Sequence, residues 1–135
     1  MPNEESHILL AKHNQEVIDH LLCDLEKYSD WITTIAFYKA LHIVEAVFFN
    51  DKNVKHGHSH EDRDTYLKTN RKFLHIYRNY RPLWASSMIA RYLENPESTK
   101  DFYSCFNDYL PPEKVKSEII DHRLRQIEKS AQKLH

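Results

Sequence analysis

The chain has 135 residues, a formal net charge of −1, one glycine and five prolines, together with eight tyrosines, six phenylalanines and two tryptophans. This length suits one domain with a single core, so we predict one domain over residues 1–135. The scarcity of glycine disfavours tight β-turns, and the near-neutral charge excludes a general electrostatic preference for polyanions. The composition therefore predicts an all-α fold.

Two long helices are predicted in the N-terminal half. The first begins near Asn3 or Ser6 and runs to about Lys27, with an apolar face along one side. The second is capped by Ser29 or Asp30 and extends to Asn50, and it is apolar almost all the way round. A helix that is apolar on every face must be buried by its neighbours.

Polar residues within this apolar helix need a partner or a function. His42 and Glu45 lie one turn apart and share a stripe with four apolar positions, whereas Lys39 is predicted to extend outward. The four apolar positions are Trp31, Ile35, Tyr38 and Phe49.

Shorter helices are predicted after a polar linker at 51–64. A third helix starts at Ser59 or His60 and reaches about Thr69, and a fourth follows Asn70. The fourth contains Pro82, which predicts a kink or a break, and a last amphipathic helix begins at Pro111 or Pro112.

A basic and aromatic segment spans 65–93 and contains no acidic residue. Such a mixture can follow a phosphate backbone and stack on bases, so we predict a nucleic-acid contact here. A solvated helical face with aromatic residues turned inward remains the alternative. The candidate nucleic-acid-binding residues are Lys68, Arg71, Lys72, Arg78, Arg81 and Arg91.

Histidine and arginine pairs suggest acid-base cleavage of RNA, in which histidine moves protons and arginine stabilises charge on phosphorus. His60 and Arg63 would share a face of the third helix, and Arg71 and His75 form a second such pair. The candidate catalytic residues are His60, Arg63, His42 and Glu45. No glycine-rich loop is present, which excludes nucleotide hydrolysis of the usual kind.

A metal site is a further alternative. His56, His58, His60 and Glu61 lie close together in sequence, and His42 with Glu45 offers a second pair. This spacing matches no standard zinc framework, so we assign no metal ligands and expect no cofactor. A metal-binding helical bundle stays open as a third hypothesis.

The cellular location is predicted to be the cytoplasm. Cys23 and Cys105 fit neither a zinc knuckle nor a redox pair, and the N-terminus lacks the pattern of a secretion signal. The longest apolar run is interrupted by Lys39, His42 and Glu45, so no membrane association is expected.

Three motifs in this order carry a family resemblance: AFYxALHxxE at 36–45, HxxR at 60–63 and ARY at 90–92. The chain resembles the HEPN superfamily of small prokaryotic helical domains over roughly residues 30–92, within its uncharacterised HEPN-like branch. The resemblance implies an antiparallel up-and-down bundle of four to five helices, usually dimeric. Such domains are often associated with RNA cleavage in toxin-antitoxin, CRISPR or antiviral systems.

The ribonuclease motif of that superfamily is missing. Ribonuclease members carry an arginine, four to six residues and then a histidine, whereas Arg71 and His75 are separated by only three residues. We therefore expect a homodimeric, non-catalytic module of a toxin-antitoxin or antiviral-type system that binds RNA, a nucleotide or a protein partner. A metal-independent endoribonuclease that uses a His/Arg pair is the alternative.

Overall fold

The computed structural model describes residues 3–54, 59–98 and 102–134. Within these ranges the chain is helical and forms no β-strand, apart from one isolated backbone bridge between Glu94 and Phe102. The predicted all-α class is confirmed. His56 and His58, two of the histidines considered as metal ligands, lie outside the described residues.

The first two helices form an antiparallel hairpin. Helix α1 (Glu4–Leu21) is capped by Asn3, whose Oδ1 accepts a hydrogen bond from the Ser6 amide at 2.9 Å. A 3₁₀ turn (Leu22–Asp24) connects it to helix α2 (Leu25–Phe49). Glu4 at the start of α1 accepts a hydrogen bond from Asn50 just beyond α2, which fixes the antiparallel arrangement.

Helix α2 begins earlier than predicted. The predicted cap at Asp30 corresponds to a kink, because Tyr28 has non-helical dihedrals of φ −115° and ψ 18°. The Asp30 carboxylate accepts a hydrogen bond from the Trp31 amide at 2.8 Å. The predicted cap at Ser29 or Asp30 is therefore wrong, because the helix already begins at Leu25 and an N-cap side chain accepts from an amide two or three residues further on, not from the next one.

Helices α3 and α4 follow the linker. Helix α3 (His60–Thr69) is capped by Ser59, as predicted, since the Ser59 hydroxyl accepts a hydrogen bond from the Asp62 amide at 3.2 Å. A 3₁₀ turn (Arg71–Phe73) leads into helix α4 (Leu74–Tyr92), which passes through Pro82 without ending there. Of the kink or break expected at Pro82, the break is wrong, because residues on both sides of Pro82 are buried and their packing outweighs one missing hydrogen bond.

The C-terminal part contains a short helix α5 (Phe106–Tyr109) and then one continuous helical region. That region consists of helix α6 (Pro112–Lys114), a π-helical segment (Val115–Leu124) and helix α7 (Arg125–Lys133). Pro112 occupies the first turn, as predicted, since its missing N–H is not needed there.

Helices α2 and α4 form the centre of the bundle, with α1, α3 and the C-terminal region packed around them. This explains the largely apolar composition of α2, because most of its surface meets another helix, although Trp31, Tyr38 and Phe49 remain exposed. The largest fully buried side chains include Ile32, Phe48, Leu67, Phe73, Ile76, Tyr80, Leu83, Ile89, Leu124 and Ile127.

Lys39 does not extend outward as predicted but is buried. Its Nζ atom lies 2.6 Å from Gln15 Oε1 on α1 and 2.7 Å from Glu128 Oε1 on α7. Because α1 and α7 cover this side of α2, the ammonium group is neutralised by an ion pair and not by water.

One stretch within Glu4–Phe49 is long and apolar enough to cross a membrane by length and composition alone. Of its most apolar window, 61% is buried inside the protein. The core helix of a soluble bundle passes the same test.

Candidate functional site

Glu45 and Arg63 form a buried ion pair between α2 and α3. Arg63 Nη1 lies 3.0 Å from Glu45 Oε1, and the two side chains are only 12% and 11% exposed. In so little water the pair is held by charge-assisted hydrogen bonding, and neither charge can be left alone without a large desolvation cost. The pair therefore ties the start of α3 to the end of α2.

His42 faces a histidine that sequence reasoning did not single out. Its Nδ1 atom lies 3.0 Å from Nδ1 of His7 on α1, and the ring centroids are 5.3 Å apart. Both residues are half-buried. The two rings meet edge to edge through like atoms, so at most one of these nitrogens carries a hydrogen in the contact.

Burial lowers the pKa of both His7 and His42 below the ordinary histidine value of 6.5. The negative charge of Glu45 opposes this shift at both rings, while Arg63 adds to the lowering of the His42 pKa. At neutral pH both rings are therefore uncharged, and their lone pairs remain available to a proton or a ligand.

His60, one turn before Arg63 on α3, lies in an aromatic stack with α4. Its ring is nearly parallel to the Trp84 ring, with centroids 4.2 Å apart and an interplanar angle of 14°. The Arg81 guanidinium lies 4.2 Å from the same indole centroid. The Nδ1 atom of His60 is buried and has no hydrogen-bond partner among the described residues.

Asp64 organises the cations around this stack. Its carboxylate lies 3.0 Å from Arg81 Nη1 and 3.6 Å from Lys68 Nζ, and Arg81 Nε lies 2.7 Å from Glu97. These bonds connect α3, α4 and the segment after α4. Arg81 is thus fully engaged by two carboxylates and by an aromatic ring.

Tyr80 is completely buried on α4, close to the Glu45–Arg63 pair. Burial raises its pKa to about 12, and the neighbouring positive charge of Arg63 limits the rise. The phenol of Tyr80 is therefore neutral at physiological pH, and its ring is part of the core.

The four predicted catalytic residues lie in one neighbourhood but do not form one open site. Glu45 and Arg63 bind each other, His42 faces His7, and His60 stacks on Trp84. Arg63 cannot hold a phosphate while its guanidinium neutralises a buried carboxylate. The geometry is that of a polar cluster linking four helices.

The predicted nucleic-acid-binding residues divide into engaged and free cations. Lys68 and Arg81 pair with Asp64, Lys72 pairs with Asp51, and Arg91 donates to the Tyr38 hydroxyl at 3.1 Å. The side chains of Arg71 and Arg78 are exposed and form no ion pair with the described residues, and His75 is exposed beside them. Acids from outside the basic segment thus neutralise half of its candidate cations.

Several large side chains remain exposed along α2, α4 and the segment after α4. We call this the aromatic surface, and it comprises Trp31, Tyr38, Arg91, Tyr92 and Phe102, whose four rings are 57%, 39%, 59% and 70% exposed in chain order. Arg91 joins the two helices, because its guanidinium lies 5.5 Å from the ring centroids of both Tyr38 and Tyr92. Tyr92 and Phe102 also line a shallow cavity of about 400 Å³.

His7 is the main functional candidate that sequence reasoning missed. The signal was present, since an antiparallel hairpin brings together residues about equally far from the Leu22–Asp24 turn, and His7 and His42 satisfy this condition. Asp64 was missed because it is the last residue of the polar linker and immediately precedes the acid-free segment.

Within the described ranges no group of three or more histidine, cysteine, aspartate or glutamate side chains is arranged to hold a metal ion. Comparisons with protein-family models, with curated proteins and with solved structures found no significant match to this chain.

Proposed function

We propose that this protein is a non-catalytic, HEPN-like binding module that uses its aromatic surface to contact a protein, with a second copy of the chain as the first partner. The observation that carries the proposal is that Arg91 bridges the exposed rings of Tyr38 on α2 and Tyr92 on α4, with exposed Trp31 two turns along α2 and exposed Phe102 beside Tyr92. Contiguous exposed apolar surface of this kind marks sites of protein interaction.

The composition of the surface fits a protein partner. Tyrosine, tryptophan and arginine are the residues that dominate the binding energy of protein interfaces. Trp31 and Tyr38 are two helical turns apart on one face of α2, and Arg91 connects that face to Tyr92 on α4. The patch is built on helices, so its shape is already present before a partner binds.

The electrostatics favour a protein over a polyanion. Lys68, Lys72 and Arg81 are paired with carboxylates, and the chain as a whole has a net charge of −1. An RNA would have to compete with these ion pairs for its phosphate contacts.

The test is the oligomeric state of variants at the aromatic surface. We expect the wild-type chain to form a dimer in sedimentation velocity, and Trp31→Glu or Tyr92→Glu to make it monomeric, because either change places a charge in an apolar contact. Leu9→Glu is the matched control, since Leu9 is 58% exposed on α1 and lies outside the surface. The Leu9→Glu variant should remain dimeric.

A wild-type chain that is monomeric at all concentrations would remove the second copy as partner. Equal loss of the dimer in Leu9→Glu would show that the contact does not depend on the aromatic surface. Circular dichroism of each variant separates loss of association from loss of folding.

A second candidate function rests on the exposed group Arg71, His75 and Arg78. His75 and Arg78 are three residues apart on α4 and share a face, and Arg71 lies in the 3₁₀ turn that leads directly into this helix. They are the part of the basic segment in which a histidine and free arginines could act together on RNA, with His75 as general acid or base and Arg71 as phosphate clamp.

Incubation with a mixed RNA pool, with and without EDTA, tests this candidate. Metal-independent cleavage that is lost in an Arg71→Ala, His75→Ala double variant but retained in a His60→Ala, Arg63→Ala double variant would make the protein a ribonuclease. Intact RNA with the wild-type protein would leave the binding module as the function.

A further inference from the structure

We propose that a cavity between α1, α2 and α7 binds a small amphipathic carboxylate, with the buried Lys39 ammonium as the anchor for its head group. The cavity has a volume of about 320 Å³ and is lined by residues of all three helices. Ligand sites in proteins are concave and mostly apolar, with a few polar groups that fix the orientation of the ligand. The site is separate from the aromatic surface and goes beyond the proposed function.

The apolar walls of the cavity come from short side chains where the three helices meet. Ala11 on α1, Ala46 on α2 and Ala131 on α7 are buried and line the cavity together. Ile8 and Ile43 complete the apolar part, and Ile8 is 37% exposed, so the cavity opens to solvent beside it. Because a water molecule takes about 30 Å³ in the liquid, the cavity has room for roughly ten non-hydrogen atoms. A carboxylate with up to about eight carbons fits this space.

Lys39 supplies a polar anchor at this cavity. Its side chain is only 11% exposed, and its ammonium group has three hydrogens, of which Gln15 and Glu128 accept two. The third hydrogen has no acceptor within the described ranges of the chain. Lys39 lines this cavity and also a neighbouring one of about 250 Å³. A donor that faces such a space can be satisfied by a ligand oxygen.

The charges around the cavity favour an anion. Lys12 and Lys39 line it together with Glu128, the one acidic side chain among its described lining residues. Glu128 is already bound to Lys39, whereas Lys12 is exposed and forms no ion pair with the part of the chain that the structure describes. One positive charge is therefore left over. A carboxylate ligand would balance that charge while its apolar chain covers the alanines.

The backbone beside the anchor has an unusual geometry. Residues of the π-helical segment Val115–Leu124 line the neighbouring cavity, which shares Gln15, Lys39 and Glu128 with the first. Turns of π-helix are rare and occur frequently at functional sites. The ammonium group of Lys39 thus borders both an apolar cavity and a π-helical segment, which favours a ligand site over an ion pair that serves packing alone.

The experiment is a calorimetric titration of the full chain with octanoate, with octanol and octylamine as the uncharged and cationic probes of the same chain length. We expect one octanoate per chain, with a dissociation constant below about 1 mM. Octanol should bind at least about 10-fold more weakly, and octylammonium more weakly still, because neither balances the excess positive charge.

Two variants test the head group and the apolar chain separately. Lys39→Met with Glu128→Gln removes the anchor without stranding a charge, so octanoate should then bind no better than octanol, a loss of about 10-fold. Ala131→Leu fills the cavity, so it should abolish binding of both probes and of the rise in melting temperature that octanoate produces. The melting temperature of this variant without ligand should stay the same or rise, because its added methyl groups occupy empty space.

The exposed pair of Lys114 and Glu118 gives the matched control. Its side chains are 56% and 53% exposed, and Lys114→Met with Glu118→Gln makes the same chemical change away from the cavity. This control variant should bind octanoate as the wild type does. Circular dichroism shows whether each variant is folded, and if Ala131→Leu is not, the Lys39→Met, Glu128→Gln variant alone decides.

Three results would overturn the proposal. A wild-type chain with no saturable binding of octanoate has no such site. Octanol or octylammonium that binds as tightly as octanoate would show that Lys39 does not anchor a carboxylate. Octanoate binding that is unchanged in both Ala131→Leu and the Lys39→Met, Glu128→Gln variant would place the ligand elsewhere on the protein, for example on the aromatic surface.

Discussion

At the level of single residues, the Glu45–Arg63 pair decides what the polar cluster can do. A buried ion pair contributes little net stability compared with an apolar pair, but removal of one partner strands the other charge in the interior. An arginine held in this way is a structural clamp between α2 and α3. The positive charge and N–H groups of Arg63 could bind a phosphate, but Glu45 already occupies them.

This role predicts a non-additive response to mutation. Arg63→Met should lower the free energy of unfolding by about 3 kcal/mol, near the lower end for buried pairs because about a tenth of each side chain remains exposed. The Glu45→Met, Arg63→Met double variant should recover most of that loss, since no charge is stranded. Urea unfolding curves of the wild type, both single variants and the double variant measure the coupling.

The exposed pair of Lys116 and Asp121 is the control for this cycle. Its atoms are 2.7 Å apart, close to the distance in the buried pair, but the side chains are 46% and 54% exposed. Lys116→Met should change the free energy of unfolding by less than about 1 kcal/mol. If the losses in free energy of unfolding of the Glu45→Met and Arg63→Met variants add up in the double variant, the pair does not act as a clamp between α2 and α3.

His60 predicts a loss of stability in mild acid. Burial lowers its pKa below 6.5, an effect to which Arg63 and Arg81 add and which Asp64 and Glu61 oppose. As the pH falls through 6.5 the unfolded chain takes up the proton before the folded chain does, so the folded state loses stability below that pH. Above pH 6.5 the contribution of His60 to the free energy of unfolding is constant.

His60→Gln isolates the contribution of His60 to the pH dependence of stability, because glutamine does not titrate. The difference in free energy of unfolding between wild type and variant should be flat from pH 7 to 8. Below about pH 6.5 the wild type should lose stability relative to the variant. A difference that grows in favour of the wild type in acid would mean that His60 is stabilised as a cation by Asp64, contrary to the dominance of burial.

At the level of helices, the sequence predicted what depends on local pattern and missed what depends on packing. The Ser59 cap and the start at Pro112 follow from local chemistry and were predicted. The continuity of α4 through Pro82 and the burial of Lys39 follow from neighbouring helices, which local pattern does not contain. The contact of His7 with His42 is intermediate in how well the sequence predicts it, because it depends only on the α1–α2 hairpin and the position of its turn.

The Ser59 cap gives a prediction for α3. Ser59→Ala should lower the free energy of unfolding by about 1 kcal/mol, because the Asp62 amide loses its acceptor at the start of the helix that positions His60 and Arg63. Ser59→Asp should keep most of the stability, since aspartate caps a helix equally well. Denaturant midpoints of the two variants test this directly, and equal losses would assign the effect to something other than the cap.

At the scale of the whole molecule, helix α2 links the candidate sites through residues of one stripe, because Tyr38, His42 and Glu45 contact three different elements. The polar cluster lies where α2 and α4 meet α3, the aromatic surface lies where Tyr38 meets Arg91, and the histidine pair lies where α1 covers α2. The composition of α2 revealed that it is central, but not which polar residue faces which neighbour. Helix α2 therefore carries residues of the polar cluster, of the aromatic surface and of the histidine pair.

The distribution of charge over the molecule predicts how any RNA binding depends on salt. For a single strand the slope of log K against log salt is about −0.7 for each phosphate contacted, so contacts by Arg71 and Arg78 alone give about −1.4, and contacts by all six candidate cations give about −4. We expect the shallow slope in fluorescence anisotropy with a labelled single strand, because Lys68, Lys72 and Arg81 are held by carboxylates.

Variants make the salt prediction specific to this arrangement. Arg71→Ala with Arg78→Ala should remove the salt-dependent binding, whereas Lys68→Ala should leave it nearly unchanged, because Lys68 is already paired with Asp64. A slope near about −4, with an equal loss in Lys68→Ala, would mean that RNA opens the ion pairs of Asp64 and Asp51. The basic segment would then be a nucleic-acid surface whose cations are covered by Asp51 and Asp64 until RNA binds, and the second candidate function would take precedence over the first.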